Sequence, residues 1–241
     1  MDHTSYVDVF PHLTEVTLST NVGLANLVLD DATVESTLMF DAFAGVMRPI
    51  EAPLLQQKDG MTYLFKSWSD GGALAHTIVT PITPTTLTAN YEVVAPERVE
   101  ATYFVAGLYE KLLGRVADLP GLQANVDLLV AGESPTNLIA SLWASPEHRK
   151  MQVIEFYNEF LDRIPAQDEI DYWVGQLNSG VSETAFARTI LSSSEFVSLD
   201  NNVPTIYINK LYSLVLKRQG STQEVQAWVN LLNNGVSHAD I

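Results

Sequence analysis

A register of residues recurs three times in the second half of the chain, and it constrains the fold more than any other feature. Tyr109, Tyr157 and Tyr212 are each followed six residues later by Arg115, Arg163 and Arg218. Ten residues further stand Asn125, Trp173 and Trp228, and seven beyond those stand Gly132, Gly180 and Gly235. Ser134, Ser182 and Ser237 follow two residues on, and in the first two copies the register closes on Glu147 and Glu195. A repeat of about 48 residues is the mark of stacked supersecondary units, each burying its apolar face against its neighbours.

The residue types identify the unit as helical. Apolar residues at 3.6-residue spacing run through Phe104, Leu108 and Leu112, and through Ile170, Trp173, Val174 and Leu177. Leu138 with Leu142, and Phe186 with Ile190, share that spacing. The three glycines follow such runs, where a residue just past a helix adopts positive φ. Each serine then stands where the next helix needs an N-cap oxygen, as do Asp118 and Ser221. Ser221 with Glu224 reads as a capping box, whereas Ala166 lacks an acceptor and marks the weaker helix start. Pairing of Arg115 with Glu147, and of Arg163 with Glu195, is expected as a recurrent tie that sets helix angles.

Before residue 95 the pattern has period two. In the stretch 62–68, Tyr63 and Phe65 fall on one face and Leu64, Lys66 and Trp68 on the other. Leu87, Ala89, Tyr91 and Val93 alternate with polar residues, and 16–20, 27–30 and 77–80 are shorter β-branched runs. Asp59-Gly60, Asp70-Gly71-Gly72, Pro81 and Pro84 punctuate them as turns. The expected architecture is multidomain α and β. An Ig-like antiparallel β-sandwich over 1–95 precedes all-α helical repeats over 96–241, with units near 100–150, 151–203 and 204–241.

Charge narrows the partners. With 13 basic against 29 acidic residues the formal net charge is −16, shared equally by the two sides of residue 95. Such a field repels phosphate backbones and anionic lipid, so neither nucleic acid nor a membrane surface is expected as a partner. No apolar run is long enough to span a bilayer, and the acidic start at 1–5 is not a signal peptide. The absence of cysteine excludes disulfides and thiolate chemistry.

The repeated motif, Leu108-Tyr109 with Gly114-Arg115, then Trp173-Val174, Gly180, Ser182 and Ser145-Pro146-Glu147, resembles a helical repeat domain of unknown function. That domain occurs in tandem in large secreted and surface proteins of bacteria, and is distantly similar to phycobilisome linker domains. The likeness covers roughly residues 100–241; Asn125 and Lys217 depart from its pattern. The stretch Gly60 to Gly72, with Ala75 to Ile78 and Thr85 to Tyr91, is similar to a small β-sandwich module of bacterial extracellular proteins. Both likenesses imply a location outside the cytoplasm, and neither supplies a catalytic residue.

Catalytic and metal chemistry finds little foothold. His3, His12, His76, His148 and His238 are scattered, without the converging spacing of a zinc site. Asp168, Glu169 and Asp171, and Glu159 with Asp162, read as solvated charge on helix faces rather than as paired hydrolytic carboxylates. Neither a nucleophile elbow nor a phosphate loop occurs. Asp30, Asp31, Asp59 and Asp70 lie at turns and offer oxygen for a calcium ion, although turn chemistry accounts for them more simply. Trp68 is a candidate sugar-stacking residue, with a core position the plainer reading.

The expectation is therefore a non-catalytic binding or spacer module of an extracellular or cell-surface protein, needing no cofactor. Its expected partners are other domains of the same protein, and glycan or cell-envelope components. A self-assembling scaffold is the alternative, and a fragment of a glycan-active enzyme ranks below both. The third register lacks its closing Glu, so the chain is expected to be a piece of a longer protein; a natural gene ending at Ile241 would contradict this.

Overall fold

The computed structural model describes residues 11–24, 26–199 and 201–241; His3 and the opening residues 1–5 lie outside them. Among the described residues, nine strands precede nine helices and a closing 3-10 turn. Strand structure ends at Val93 and helix begins at Pro96.

The strands are β1 (Leu13–Thr20), β2 (Asn26–Leu29), β3 (Ala32–Glu35), β4 (Leu38–Phe43), β5 (Met47–Glu51), β6 (Leu55–Lys58), β7 (Met61–Trp68), β8 (Ala75–Val79) and β9 (Thr85–Val93). They form a five-stranded sheet, β4-β1-β9-β7-β6, and a four-stranded sheet, β3-β2-β5-β8. Val16, Leu18, Phe65, Trp68, Leu87 and Tyr91 of the first sheet share one core with Leu27, Ile50 and Ile78 of the second. The expected sandwich is thus present, with one departure. β1 and β9 pair in parallel, whereas every other pair is antiparallel.

Local chemistry sets the hairpins. Asp30 and Asp31 both take positive φ (49° and 62°) in the two-residue loop between β2 and β3. Asp59 and Gly60 do the same between β6 and β7 (51° and 75°). Two left-handed residues in such a loop match the right-handed twist of the strands. Buried Gln56 then ties the sheets: its amide donates to the Asn26 carbonyl (2.9 Å) and to the Tyr91 hydroxyl (2.8 Å), and its oxygen accepts from Asn26 N (3.1 Å). The Tyr91 hydroxyl donates onward to the Pro53 carbonyl (2.7 Å). Burial pushes this phenol up to about 12, with the Gln56 bond acting weakly in the opposite direction.

Strict alternation fails in β7. Phe65 pairs with Tyr91, but Ser67 pairs with Asn90, so Lys66 is the extra residue of a bulge. The bulge rotates Trp68 onto the Phe65 face, where it is 2% exposed and its Nε1–H donates to the Leu74 carbonyl (3.1 Å). Trp68 is therefore core and not a stacking platform, and the expected split of Phe65 and Trp68 onto opposite faces is corrected.

The helices are α1 (Pro96–Leu113), α2 (Leu119–Val130), α3 (Pro135–Trp143), α4 (Pro146–Leu161), α5 (Gln167–Asn178), α6 (Glu183–Leu191), α7 (Ser194–Ser198), α8 (Pro204–Leu214) and α9 (Thr222–Asn233). The closing turn spans His238–Asp240. In α1 the fully buried stripe is Val105, Tyr109 and Leu113, one residue on from the half-buried Phe104, Leu108 and Leu112. By compactness the chain divides into residues up to 107 with 116–132, and 108–115 with 133–241. α2, of the first repeat, therefore belongs to the same compact unit as the strands.

Truncating Trp68 to Ala should cost about 3–5 kcal/mol in urea unfolding, the range for removing a large buried aromatic. A loss below about 1 kcal/mol would show that its burial has been misjudged.

Candidate functional site

The recurrent register converges on one cluster per repeat, built at the point where a helix ends. The residue before each Arg is left-handed: Gly114 (φ 63°), Asp162 (53°) and Lys217 (50°). That turn folds the chain back, so each guanidinium lies over the Tyr ring six residues earlier. Centroid distances are 5.0 Å for Arg115 on Tyr109, 4.9 Å for Arg163 on Tyr157 and 4.8 Å for Arg218 on Tyr212. These are cation–π stacks.

Carboxylates then meet the guanidinium edge. Arg115 Nε and Nη2 donate to the two oxygens of Glu147 at 2.5 and 3.0 Å, and Arg163 Nε and Nη2 donate to Glu195 at 2.6 and 3.0 Å. Ser145 and Ser193 cap the helices that carry these glutamates, accepting from His148 N and Phe196 N.

A second carboxylate went unread in the sequence. Glu169 accepts from Arg163 Nη1 and Nη2, both at 2.7 Å, and Glu224 accepts from Arg218 Nη1 and Nη2 at 3.2 and 2.8 Å. Glu169 is thus an ion-pair partner rather than free solvated charge. Its signal was available: an acid six residues after the Arg in the second and third copies, with Gly121 there in the first. The same carboxylate accepts from Ala166 N (2.7 Å), so a helix start without a side-chain cap is still half capped. In the third copy Ser221 Oγ and Glu224 complete the box reciprocally.

The aromatic partner of the cluster follows the register too. Trp173 Nε1 donates to the Tyr157 hydroxyl (3.1 Å), and Trp228 Nε1 to the Tyr212 hydroxyl (3.2 Å). In the first copy Asn125 instead donates to the Gly121 carbonyl (2.9 Å). Trp173 also packs on Phe186, whose ring stacks on Phe156 at 5.1 Å and 16°. Gly132, Gly180 and Gly235 stand at φ of 102°, 100° and 90°. Ser134 and Ser182 accept from the N–H three residues on, while Ser237 Oγ bonds Asp240.

The remaining candidates are dispersed. Asp30 pairs with Arg48, Asp70 accepts from Gly72 N (3.0 Å) and contacts His76 Nε2 (3.0 Å), and Asp59 lies in its hairpin. Buried His148 contacts the Leu112 carbonyl through Nδ1 (2.7 Å) and lies against Trp143. Among the described residues no group of three or more His, Asp or Glu side chains is placed to hold a metal ion. No described helix is long and apolar enough to cross a membrane.

Hydrogen bonding from Arg163 brings the Glu169 carboxyl down to about 2, and bonding from Arg218 does the same for Glu224. Both folded values lie below the ordinary 4.5, so the stabilisation is complete above that value and is lost as pH falls towards 2. Unfolding midpoints should therefore decline between pH 4.5 and 2, and a Glu169→Gln, Glu224→Gln double variant should show a flatter decline. An unchanged profile would mean these pairs do not report on folding. Asp162→Gly should stabilise by about 0.5–1 kcal/mol, because glycine takes left-handed φ without a Cβ penalty.

Comparison with known proteins bears on the last two repeats. A family model described as "Domain of unknown function (DUF4214)" matches residues 149–200 and 187–241. Each match contains one Arg-over-Tyr cluster with its Trp and Gly. Among curated proteins and among solved structures, none matches the chain. The family model thus matches two overlapping stretches of the C-terminal helices, which follow an N-terminal pair of β-sheets.

Proposed function

We propose that the chain is a non-catalytic binding or spacer module of an extracellular or cell-surface bacterial protein. The observation that carries this reading is where the recurrent polar residues are spent. In each repeat the guanidinium is stacked on Tyr and forked to Glu, and in the last two the Trp N–H is given to the Tyr hydroxyl. A catalytic carboxylate needs a pKa near its working pH, whereas Glu169 and Glu224 are held near 2. They are tuned to stay ionised and paired.

The exported, bacterial part of the reading is supported by the likeness of the repeat and sandwich patterns to modules of secreted proteins. The acidic surface supports uncharged or basic partners, such as neutral glycan or other protein domains, over phosphate-bearing ones. A self-assembling scaffold is the second reading, favoured by exposed apolar residues on α8 and just past its end, including Ile206, Val215 and Leu216.

Incubating the chain with a panel of polysaccharides should release no new reducing ends, and release from any of them would overturn the non-catalytic reading. Light scattering over a concentration series should give a constant monomer mass. A mass rising with concentration, and falling back in a Leu216→Asp variant, would replace the module by the scaffold.

A further inference from the structure

The compact unit that joins the strands to α2 carries four Lys and Arg side chains, and two of them, Lys66 and Arg98, line one cavity of about 290 Å³. The bulge makes Lys66 the extra residue of β7, two places after Leu64, whose register partner on β9 is Glu92. Leu64 and Glu92 alternate with the core residues Phe65 and Tyr91, so the cavity lies on the outer face of the five-stranded sheet. Arg98 reaches it from the first turn of α1, and Leu122 and Val126 from the buried face of α2.

The charges there are sorted by depth. Lys66 and Arg98 are 29% and 32% exposed, whereas their ion-pair partners Glu92 and Asp127 are 70% and 65% exposed. The cations are recessed and the carboxylates stand at the rim. Neither cation is used up among the described residues. Arg98 makes one side-chain hydrogen bond, from Nη2 to Asp127, where Arg163 makes four to its two glutamates. Lys66 Nζ lies 3.4 Å from Glu92 without a hydrogen bond, and no unbonded donor of either cation is sealed from solvent. Recessed charges ordinarily spend their donors on protein acceptors. These two instead line an open cavity whose other walls are apolar: Leu64, Val93, Leu122 and Val126.

We propose that this cavity binds a free α-amino acid with an apolar side chain. Its α-carboxylate takes the unspent donors of Arg98 and Lys66, and its α-ammonium meets Glu92 or Asp127 at the rim. Its side chain lies against Leu64, Leu122 and Val126. The volume stands at the foot of the range for small-molecule sites, about 300–1,000 Å³, which suits one amino acid and not a glycan chain. A zwitterion brings no net charge, so the acidic surface that opposes phosphate does not oppose it. A simple anion would forgo the rim carboxylates, and a simple cation the recessed donors. This deepens the reading of the chain as a binding module and rests on it.

The test is isothermal titration calorimetry of the full chain with L-leucine, N-acetyl-L-leucine and L-leucinamide. Saturable binding of leucine is expected, weakened by at least about tenfold when either of its charges is blocked. Arg98→Gln and Lys66→Gln chains should each lose at least about tenfold in affinity for leucine. Both side chains are partly exposed, so the variants should keep the parent's circular dichroism. Absence of saturation at millimolar leucine, binding indifferent to both substitutions, or equal binding of leucine and its blocked forms would overturn the proposal. So would tighter binding of the tripeptide Gly-Gly-Leu, which would replace the free amino acid by a peptide terminus. Failure here leaves a spacer reading standing, whereas that broader reading falls on the hydrolysis assay.

Discussion

A guanidinium held over a tyrosine ring, at the residue where a helix has just ended, is the constraint around which the helical half is organised. The stack fixes the direction of the Arg fork, and the fork selects where later helices can start. Glu169 and Glu195 arrive from six and thirty-two residues downstream, and both find Arg163 because its position is already set. The energy lies elsewhere. Arg115 and Arg163, with side chains 39% and 34% exposed, form ion pairs worth about 0–1 kcal/mol each. A buried Tyr157, Phe186 or Tyr207 contributes about 1.5–3 kcal/mol by removal from water. The aromatic core stabilises the repeat, and the Arg decides its geometry.

That division of labour explains how the register tolerates irregular spacing. Tyr157 follows Tyr109 by 48 residues, but Tyr212 follows Tyr157 by 55. The extra residues split what is one continuous helix, α4, into the separate α7 and α8. Asn201 and Asn202 take positive φ in the break, and Pro204 begins the new helix. Distances inside each cluster are unaffected, since insertion falls between the closing Glu of one register and the Tyr of the next. Stacked repeats depend on nearest-neighbour surfaces, so a local insertion is absorbed locally.

The sandwich follows a different logic. Its unity comes from side chains that serve two strands at once. Gln56 joins Asn26 to Tyr91, and Asn21 bonds both the N–H and the carbonyl of Tyr91. These are buried or half-buried polar groups with partners, which specify pairing where apolar contacts alone would permit slippage. The Asp70-Gly71-Gly72 turn is similarly closed. Gly71 takes the left-handed φ of the turn (80°), whereas at Gly72 the requirement is steric, since a Cβ there would lie 2.3 Å from the His76 ring.

What the sequence determined by itself was everything governed by local chemistry. Left-handed glycines, serine caps, the two-residue turn at Asp59-Gly60 and the change of period after residue 95 were legible, because each depends on a few adjacent residues. The pairing of Arg with Glu147 and Glu195 was legible only through repetition. Tertiary structure decided the rest. One bulged residue at Lys66 moved Trp68 to the opposite face, a change that period-two reading has no means of detecting. Phe160 and Val215 hold equivalent places in the register, yet one is 8% and the other 54% exposed, a difference the register does not encode. Local propensity names the cap and the turn; only the folded chain settles which surfaces meet.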